Sequence, residues 1–241
     1  MRGTWVIFRR EMRQYFASPI AYMLAAAFLL LTALLFNSDL AFSITVKPAD
    51  PAVIPNFLSL MLVFFAPLFT MRILAEENRE GTLELLLTAP VRDSAIVVGK
   101  FLGAWCYYSL LLVATLSYQI ILVRISNPDL AHTAGAYIGI WLYGGATLAV
   151  GLLFSALTEN QIVAAFLSTA VLILLWLGDL AGMVIANIDV ARLFRTLSLQ
   201  GHFSTSFSVG LIRAEDLAFF AGIIVIMLFI TIRIVESHRW R

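Results

Sequence analysis

Apolar residues fall along the chain in six long runs, at about 20–36, 53–71, 101–123, 134–157, 162–187 and 217–232, and the stretches between them carry most of the charge. Each run is long enough to cross a hydrocarbon core of roughly 30 Å as a helix rising about 1.5 Å per residue, although the last is short. A backbone amide has no water to bond in hydrocarbon, so an uninterrupted run of this length satisfies its own amides as a helix. A membrane barrel would need alternating segments of about ten residues, and that pattern is missing. The fold expected is all-α and integral to a membrane, with 1–241 forming a single transmembrane domain.

The polar stretches have structure of their own. Residues 1–19 place Arg2, Arg9, Arg10 and Arg13 ahead of Ser18 and Pro19. On a helical wheel Trp5, Phe8, Met12, Tyr15 and Phe16 form one stripe, with the arginines on adjoining faces. Such an amphipathic helix lies at the membrane interface with its arginines toward headgroups, and Pro19 turns the chain into the first span. The plain alternative is a basic anchor that sets topology and has no further role. No small-residue cleavage site follows a short apolar core here, so the segment reads as mature protein and not as a signal peptide.

Two connections are long. In 72–100, Glu76, Glu77, Glu80 and Glu84 flank Leu83, Leu86 and Leu87 at helical spacing; Pro90 ends that helix, and Asp93 or Ser94 is placed to cap the next. A short helix with an apolar stripe and acidic flanks suits docking into a groove on a soluble partner. The bland alternative is a solvated loop whose leucines pack on the bundle, but loops of this length are more often functional. Residues 188–216 mix Leu193, Phe194, Leu197, Phe203, Phe207 and Leu211 with Arg192, Arg195, His202 and Arg213. That mixture predicts short helices lying in or dipping into the outer interface before the last span.

Composition supports lipid as the main solvent: 61% of the 241 residues are hydrophobic and 13% charged, with mean hydropathy +0.92. A net charge of +1, spread along the chain, gives no basis for nucleic-acid binding. Its distribution is more telling. Arg2, Arg9, Arg10, Arg13, Arg72, Arg79, Arg92, Lys100, Arg233, Arg239 and Arg241, out of sixteen Lys and Arg, fall on one side of a six-span topology. The positive-inside rule makes that side cytoplasmic, with both termini and the Thr158-Glu159-Asn160 turn inside a cell inner or plasma membrane.

Within the spans, Asp179 is the one acid well inside a run. A charge at depth costs at least about 2.5 kcal/mol, so Asp179 faces a pathway, pairs, is protonated, or sits near the outer headgroups because its span ends early. Tyr107, Tyr108, Ser109, Ser117, Tyr118 and Gln119 make the third run polar; Tyr108 and Tyr118 are pathway candidates, with interhelical hydrogen bonding the favoured reading. Cys106 is the single cysteine, so no intramolecular disulfide forms. His132, His202 and His238 lack metal-ligand spacing, and there is no Gly-x-Ser-x-Gly elbow, so neither a metal site nor a catalytic set is expected.

Arg10-Glu11 with Phe16-Ala-Ser-Pro19, then Glu77-Asn-Arg-Glu-Gly-Thr-Leu-Glu-Leu-Leu-Leu-Thr-Ala-Pro90 and Gly99-Lys100-Phe-Leu, resemble the ABC-2 type permeases, most closely the gliding-motility and nitrous-oxide-reductase-maturation permeases. The likeness covers essentially the whole chain. It implies that 72–100 includes a coupling helix that contacts an ATP-hydrolysing subunit, with Glu76, Glu77, Glu80, Leu83, Glu84, Leu86, Leu87, Thr88 and Pro90 at the contact. It also implies that the N-terminal helix, with Trp5, Phe8, Arg9, Arg10, Arg13 and Phe16, is a connecting helix. Two permease copies, identical or paralogous, would enclose the pathway, and an accessory extracytoplasmic subunit is compatible with the arrangement. The chain lacks a GxxxxGK[ST] phosphate loop, since Phe101 follows Gly99-Lys100, so it is not expected to be an enzyme. ATP and magnesium then belong to the partner.

The reading that results is the permease subunit of an ATP-binding cassette exporter. A non-transporting scaffold or assembly factor that recruits a soluble protein through 72–100 is the alternative. An ion-coupled carrier is weaker, because it needs several intramembrane ionisable groups.

Overall fold

The computed structural model describes residues 2–45, 52–83, 86, 91–125, 129–184 and 187–238. In chain order the helices are α1 (Arg2–Ala17), α2 (Pro19–Thr45), α3 (Val53–Thr70), α4 (Ala75–Arg79), α5 (Asp93–Ile125), α6 (Leu130–Leu157), α7 (Gln161–Val184), α8 (Ile188–Leu197), α9 (Leu199–Ser204) and α10 (Ala214–His238), with a 3₁₀ turn at Phe207–Val209. No strand occurs among the described residues. Six of these segments are long and apolar enough to cross a membrane.

The helix ends are set by local chemistry. Asp129 caps α6 by accepting from the amides of Ala131 and His132, Asn187 caps α8 through Asp189 and Val190, and Ser198 accepts from Gly201 at the start of α9. Asn160 takes the Ile162 amide at 2.9 Å where α7 begins. Gly81 follows α4 with φ of +68°, a left-handed conformation that stops a helix cheaply only at glycine.

The bundle is built around α3 and α6, whose spans are 67% and 78% buried, against 22% for those of α2, α7 and α10. The peripheral helices keep large apolar side chains outward, among them Met23, Leu30, Ile162, Phe166, Leu174, Val225 and Phe229. Those faces require hydrocarbon or another protein surface, which makes this a multi-pass membrane protein.

The helix that carries the 101–123 run begins eight residues earlier, at Asp93, and its 33 residues amount to about 50 Å of helix. That exceeds a bilayer core by about 20 Å. The excess, at the end of the bundle we term the base, lies along α1. The two helices run parallel, with Ile7 against Gly99, Glu11 against Gly103 and the Tyr15 ring stacked on Tyr107 at 4.5 Å. A Cβ on Gly99 or Gly103 would stand 2.8 Å from the Cβ of its α1 neighbour, so small residues permit the approach.

The face of α1 that packs coincides with the stripe the wheel picks out only at Tyr15. Ile7 and Glu11 are buried, whereas Trp5 and Phe16 are 64% and 51% exposed. Trp5 and Phe16 at the two ends of the stripe face outward, Tyr15 turns in against Tyr107, and the adjoining face with Ile7 and Glu11 is matched to α5.

At the far end, α8, α9 and the 3₁₀ turn fold back onto the bundle. Leu199, Phe203 and Phe207 are fully buried, Phe207 lying over Gly139 of α6. The His132 ring is bonded to the Ser208 carbonyl at 2.6 Å, and the Ser208 hydroxyl donates to Asn56 at 2.8 Å. His202 is paired with Asp216 at 2.6 Å and stacked on Phe219. Of the apolar residues expected in 188–216, Phe203 and Phe207 pack into the bundle, whereas Leu193, Phe194 and Leu197 of α8 and Leu211 keep their side chains outward.

Close packing also joins α5 to α6. The Tyr108 ring sits where a Cβ on Gly144 would be, 2.2 Å from its Cε1, and its hydroxyl donates to the Ile140 carbonyl at 2.9 Å. Gly144→Ala should cost about 1–3 kcal/mol through overpacking, and the cost should shrink markedly in a Tyr108→Leu background. Thermal unfolding of the four proteins in detergent measures that coupling.

Candidate functional site

At the base, the end of α3, the short α4, the start of α5 and α1 converge. After Thr70 the chain turns through Met71–Leu74, and Ser155 of α6 pins this turn: its hydroxyl accepts from the Leu74 and Ala75 amides and donates to the Met71 carbonyl, each at 3.1 Å. The pinning holds α4 against α6 and α7, with Glu77 within reach of Arg10 on α1.

Lys100 lies at the centre of this junction and is 1% exposed. Its ammonium donates to Glu11 Oε1 at 2.8 Å, reaches Glu77 Oε1 at 2.9 Å, and donates to the Ile73 carbonyl at 3.0 Å. Lysine has three donors and no acceptor, so its capacity is filled. Arg10 reaches the same Glu77 oxygen at 3.3 Å from the solvent side, which brings the cluster to two cations and two carboxylates. Glu77 Oε2 is buried with no hydrogen-bond partner among the described residues.

Burying an ammonium costs several kcal/mol in desolvation, and only close, well-aimed partners offset it. Here the partners come from α1, from the turn after α3 and from α4, while the lysine comes from α5. Each element supplies one part of an arrangement that none can satisfy alone.

The surroundings reinforce the junction. Tyr15 donates to the Phe69 carbonyl at 2.8 Å; burial, and secondarily the Glu11 carboxylate, push its hydroxyl well above the usual tyrosine range, so it remains a neutral donor. Arg72 bonds Glu76 through two nitrogens at 3.0 Å, one turn apart on the same segment. Between α1, the foot of α2 and the end of α3 is a cavity of about 460 Å³ with Tyr15, Phe69 and Tyr107 on one part of its wall and Arg10, Glu11, Arg72, Glu76, Glu77 and Glu80 on another.

The residues singled out from the sequence are distributed unequally over this site. Glu77 is in the charge cluster and Glu76 is paired with Arg72, so neither carboxylate is a free contact. Glu80 is exposed, as are Arg79 and Gly81. Leu83, expected to anchor a partner, is 4% exposed and belongs to the chain's own core, with Leu86 packed against that core. An already buried side chain ties the segment to the bundle and leaves the polar turn to face outward. Glu84, Leu87, Thr88 and Pro90 lie outside the described residues.

On α1, Arg10 joins the cluster, whereas Arg9 and Arg13 remain exposed and Phe8 is half-buried, stacked on Trp5. The pathway candidates do not meet. Tyr108 is buried between α5 and α6; Tyr118 donates to the Leu29 carbonyl at 3.3 Å and packs on Phe36, between α5 and α2. Asp179 is half-buried on α7 beside Gly178, where the end of α8 crosses: a Cβ on Gly178 would be 2.8 Å from the Phe194 carbonyl oxygen.

Sequence reasoning gave Glu11 and Lys100 no role. The signal was a lysine set between Gly99 and Gly103 at the mouth of an apolar run. Two small residues four apart announce a close helix neighbour, and a lysine beside them must find its acids on that neighbour.

Against known proteins, residues 12–232 match the family model described as ABC-2 family transporter protein. No curated protein matches the chain. The family is generally a non-catalytic membrane component that works with an ABC ATPase subunit, typically as a dimer. The matched residues take in most of the chain, from Met12 on α1 to Ile232 on α10, and with six apolar helices crossing between them the chain belongs to the ABC-2 family of transporter proteins, as a transmembrane permease of an ABC transporter.

Proposed function

We propose that the chain is an exporter subunit whose base faces the cytoplasm, and that the Lys100 cluster passes force from a separate ATPase, which holds the ATP and magnesium, into the spans. The likeness of its motifs to gliding-motility and nitrous-oxide-reductase-maturation permeases favours export. A second copy or a paralogue completes the pathway.

One observation carries the reading. The segment expected to meet the ATPase is joined to α1 and α5 through one ammonium with three acceptors, and again to α1 through the Arg10–Glu77 pair. A displacement of α4 therefore either moves α1 and α5 with it or breaks buried charge pairs. Breaking one side of such a pair costs about 3–5 kcal/mol, enough to make concerted movement the cheaper course. ATP-driven closure below the base then shifts a two-state equilibrium of the whole bundle, which requires different affinity for the partner in the two states. The exposed turn at Arg79, Glu80 and Gly81 is the surface we assign to that contact, with Leu83 and Leu86 holding it in place.

Two experiments test this. Lys100→Met should strand Glu11 and Glu77 with Arg10 alone and lower stability by about 3–5 kcal/mol, read as thermal unfolding in detergent. Neutralising the whole cluster with Glu11→Gln, Glu77→Gln and Lys100→Met should recover most of that loss yet remove the permease's stimulation of its partner's ATP hydrolysis in proteoliposomes. Full stimulation by this stable neutral protein would reduce the cluster to a structural clamp. For orientation, in a Cys106→Ser background, Leu211→Cys should react with a membrane-impermeant maleimide on intact cells, and Glu80→Cys only after permeabilisation; the reverse pattern rejects a cytoplasmic base.

A further inference from the structure

Around α1, away from Lys100, the chain leaves two recesses. One, of about 600 Å³, lies between α1 and the α5–α6 pair and is walled by Trp5, Phe8, Leu102, Trp105, Cys106 and Trp141, with Thr4 and Ser109 at its margin. The second, of about 530 Å³, runs along α1 past Arg9 and Arg13. Trp5 lines both, so the two recesses adjoin at this residue.

Their chemistries are opposite. In the first, Trp105 and Trp141 stack at 4.5 Å, and both indole N–H groups are already taken: Trp105 donates to the Trp141 carbonyl at 3.3 Å and Trp141 to the Ser109 hydroxyl at 2.9 Å. Ser109 in turn donates to the Trp105 carbonyl at 2.7 Å. With these polar atoms satisfied inside the wall, the aromatic surface offered to an occupant is carbon. In the second, Arg10 is engaged by Glu77, but Arg9 and Arg13 pair with no carboxylate among the described residues. They stand one turn apart on the face adjoining the aromatic stripe, four and eight residues after Trp5. Guanidinium groups present fixed forks that suit phosphate oxygens.

We propose that these joined recesses seat one anionic phospholipid from the leaflet at the base, its acyl chain along Leu102, Trp105 and Trp141 and its phosphate on Arg9 and Arg13. An apolar slot beside two cations that pair with no carboxylate among the described residues matches a molecule whose tail is hydrocarbon and whose head carries net negative charge. A zwitterionic lipid fills the slot but cancels its own attraction to the arginines. A soluble acidic partner satisfies the arginines and leaves the slot empty. The site does not depend on which way the bundle faces or on whether it transports.

The test uses the full chain with Trp176→Phe and Trp240→Phe, so that the remaining tryptophans, Trp5, Trp105 and Trp141, are those of the groove. It is reconstituted in phosphatidylcholine vesicles holding equal mole fractions of either dibrominated phosphatidylglycerol or dibrominated phosphatidylcholine. Quenching of tryptophan fluorescence should show association of the anionic lipid tighter by about fivefold per arginine, the effect of one basic residue near a charged surface. Arg9→Gln with Arg13→Gln should bring the ratio of the two lipids to about one while quenching by both persists, since the slot is unchanged. Glycerol 3-phosphate in solution should not displace the lipid. Equal quenching in the parent protein would show a merely solvated basic face and overturn the proposal. A preference that survives loss of both arginines, or full displacement by glycerol 3-phosphate, would overturn it as well.

Discussion

The structure depends on a lysine ammonium held away from water. Lys100 is almost wholly buried, and its three protons are answered by Glu11, Glu77 and the Ile73 carbonyl. An ammonium left short of partners in this position would cost several kcal/mol, comparable to the net stability of a typical domain. The base of the bundle is thus assembled jointly: α1, the turn after α3, α4 and α5 have to arrive together for any of their charges to be tolerated.

Small residues make that assembly possible. Glutamate is short, so Glu11 reaches Lys100 only if the α1 backbone comes close, and Gly99 and Gly103 leave the space. Above the base the same packing problem is solved with rings, Tyr108 filling the space over Gly144 midway along the bundle and Phe207 the space over Gly139 toward the far end. In hydrocarbon there is no hydrophobic gain from bringing two apolar helices together, and interfaces rely on such close fits and on hydrogen bonds. Charge at the base and aromatic wedges above it make the two ends mechanically unlike: the first resists separation through specific pairs, the second through shape.

How far the sequence predicted this follows from what each force writes into it. Hydrocarbon imposes a length and a polarity on any crossing helix, so the spans were legible as apolar runs. The outer stretch 188–216 was legible for the same reason, as segments too polar to cross and too apolar to be free. The packed face of α1 was not, because hydrophobicity marks the face that meets lipid, at Trp5 and Phe16, while the protein-facing side carries Glu11 and is defined by glycines some ninety positions away. The burial of Leu83 in its own chain's core was not legible for a related reason: a leucine at helical spacing declares that it will be buried, without saying whether its own chain or another buries it. Asp179 was marked as an acid at depth; the crossing of α8 at Gly178, which no local pattern encodes, supplies its surroundings.

The same geometry bears on whether α1 is a passive anchor. Only Ser18 interrupts the helix between Ala17 and Pro19, and backbone bonds from Ser18 to Gln14 and from Ala21 to Ser18 span the break. Tyr22 ties back across it to the Phe16 carbonyl, and Tyr107 of α5 holds the Ala21 carbonyl at 2.6 Å. A helix joined through one residue to the first span, clamped along its length to α5 and bonded through Glu11 to Lys100 and through Arg10 to Glu77, has no independent freedom to drift on a membrane surface. Its position is fixed by the same charges that fix α4, so a change at α4 that preserves those charges reaches α2 through α1 as well as α5 directly. Topology alone would need only a few exposed arginines; a buried glutamate on α1 is explained by attachment to the bundle.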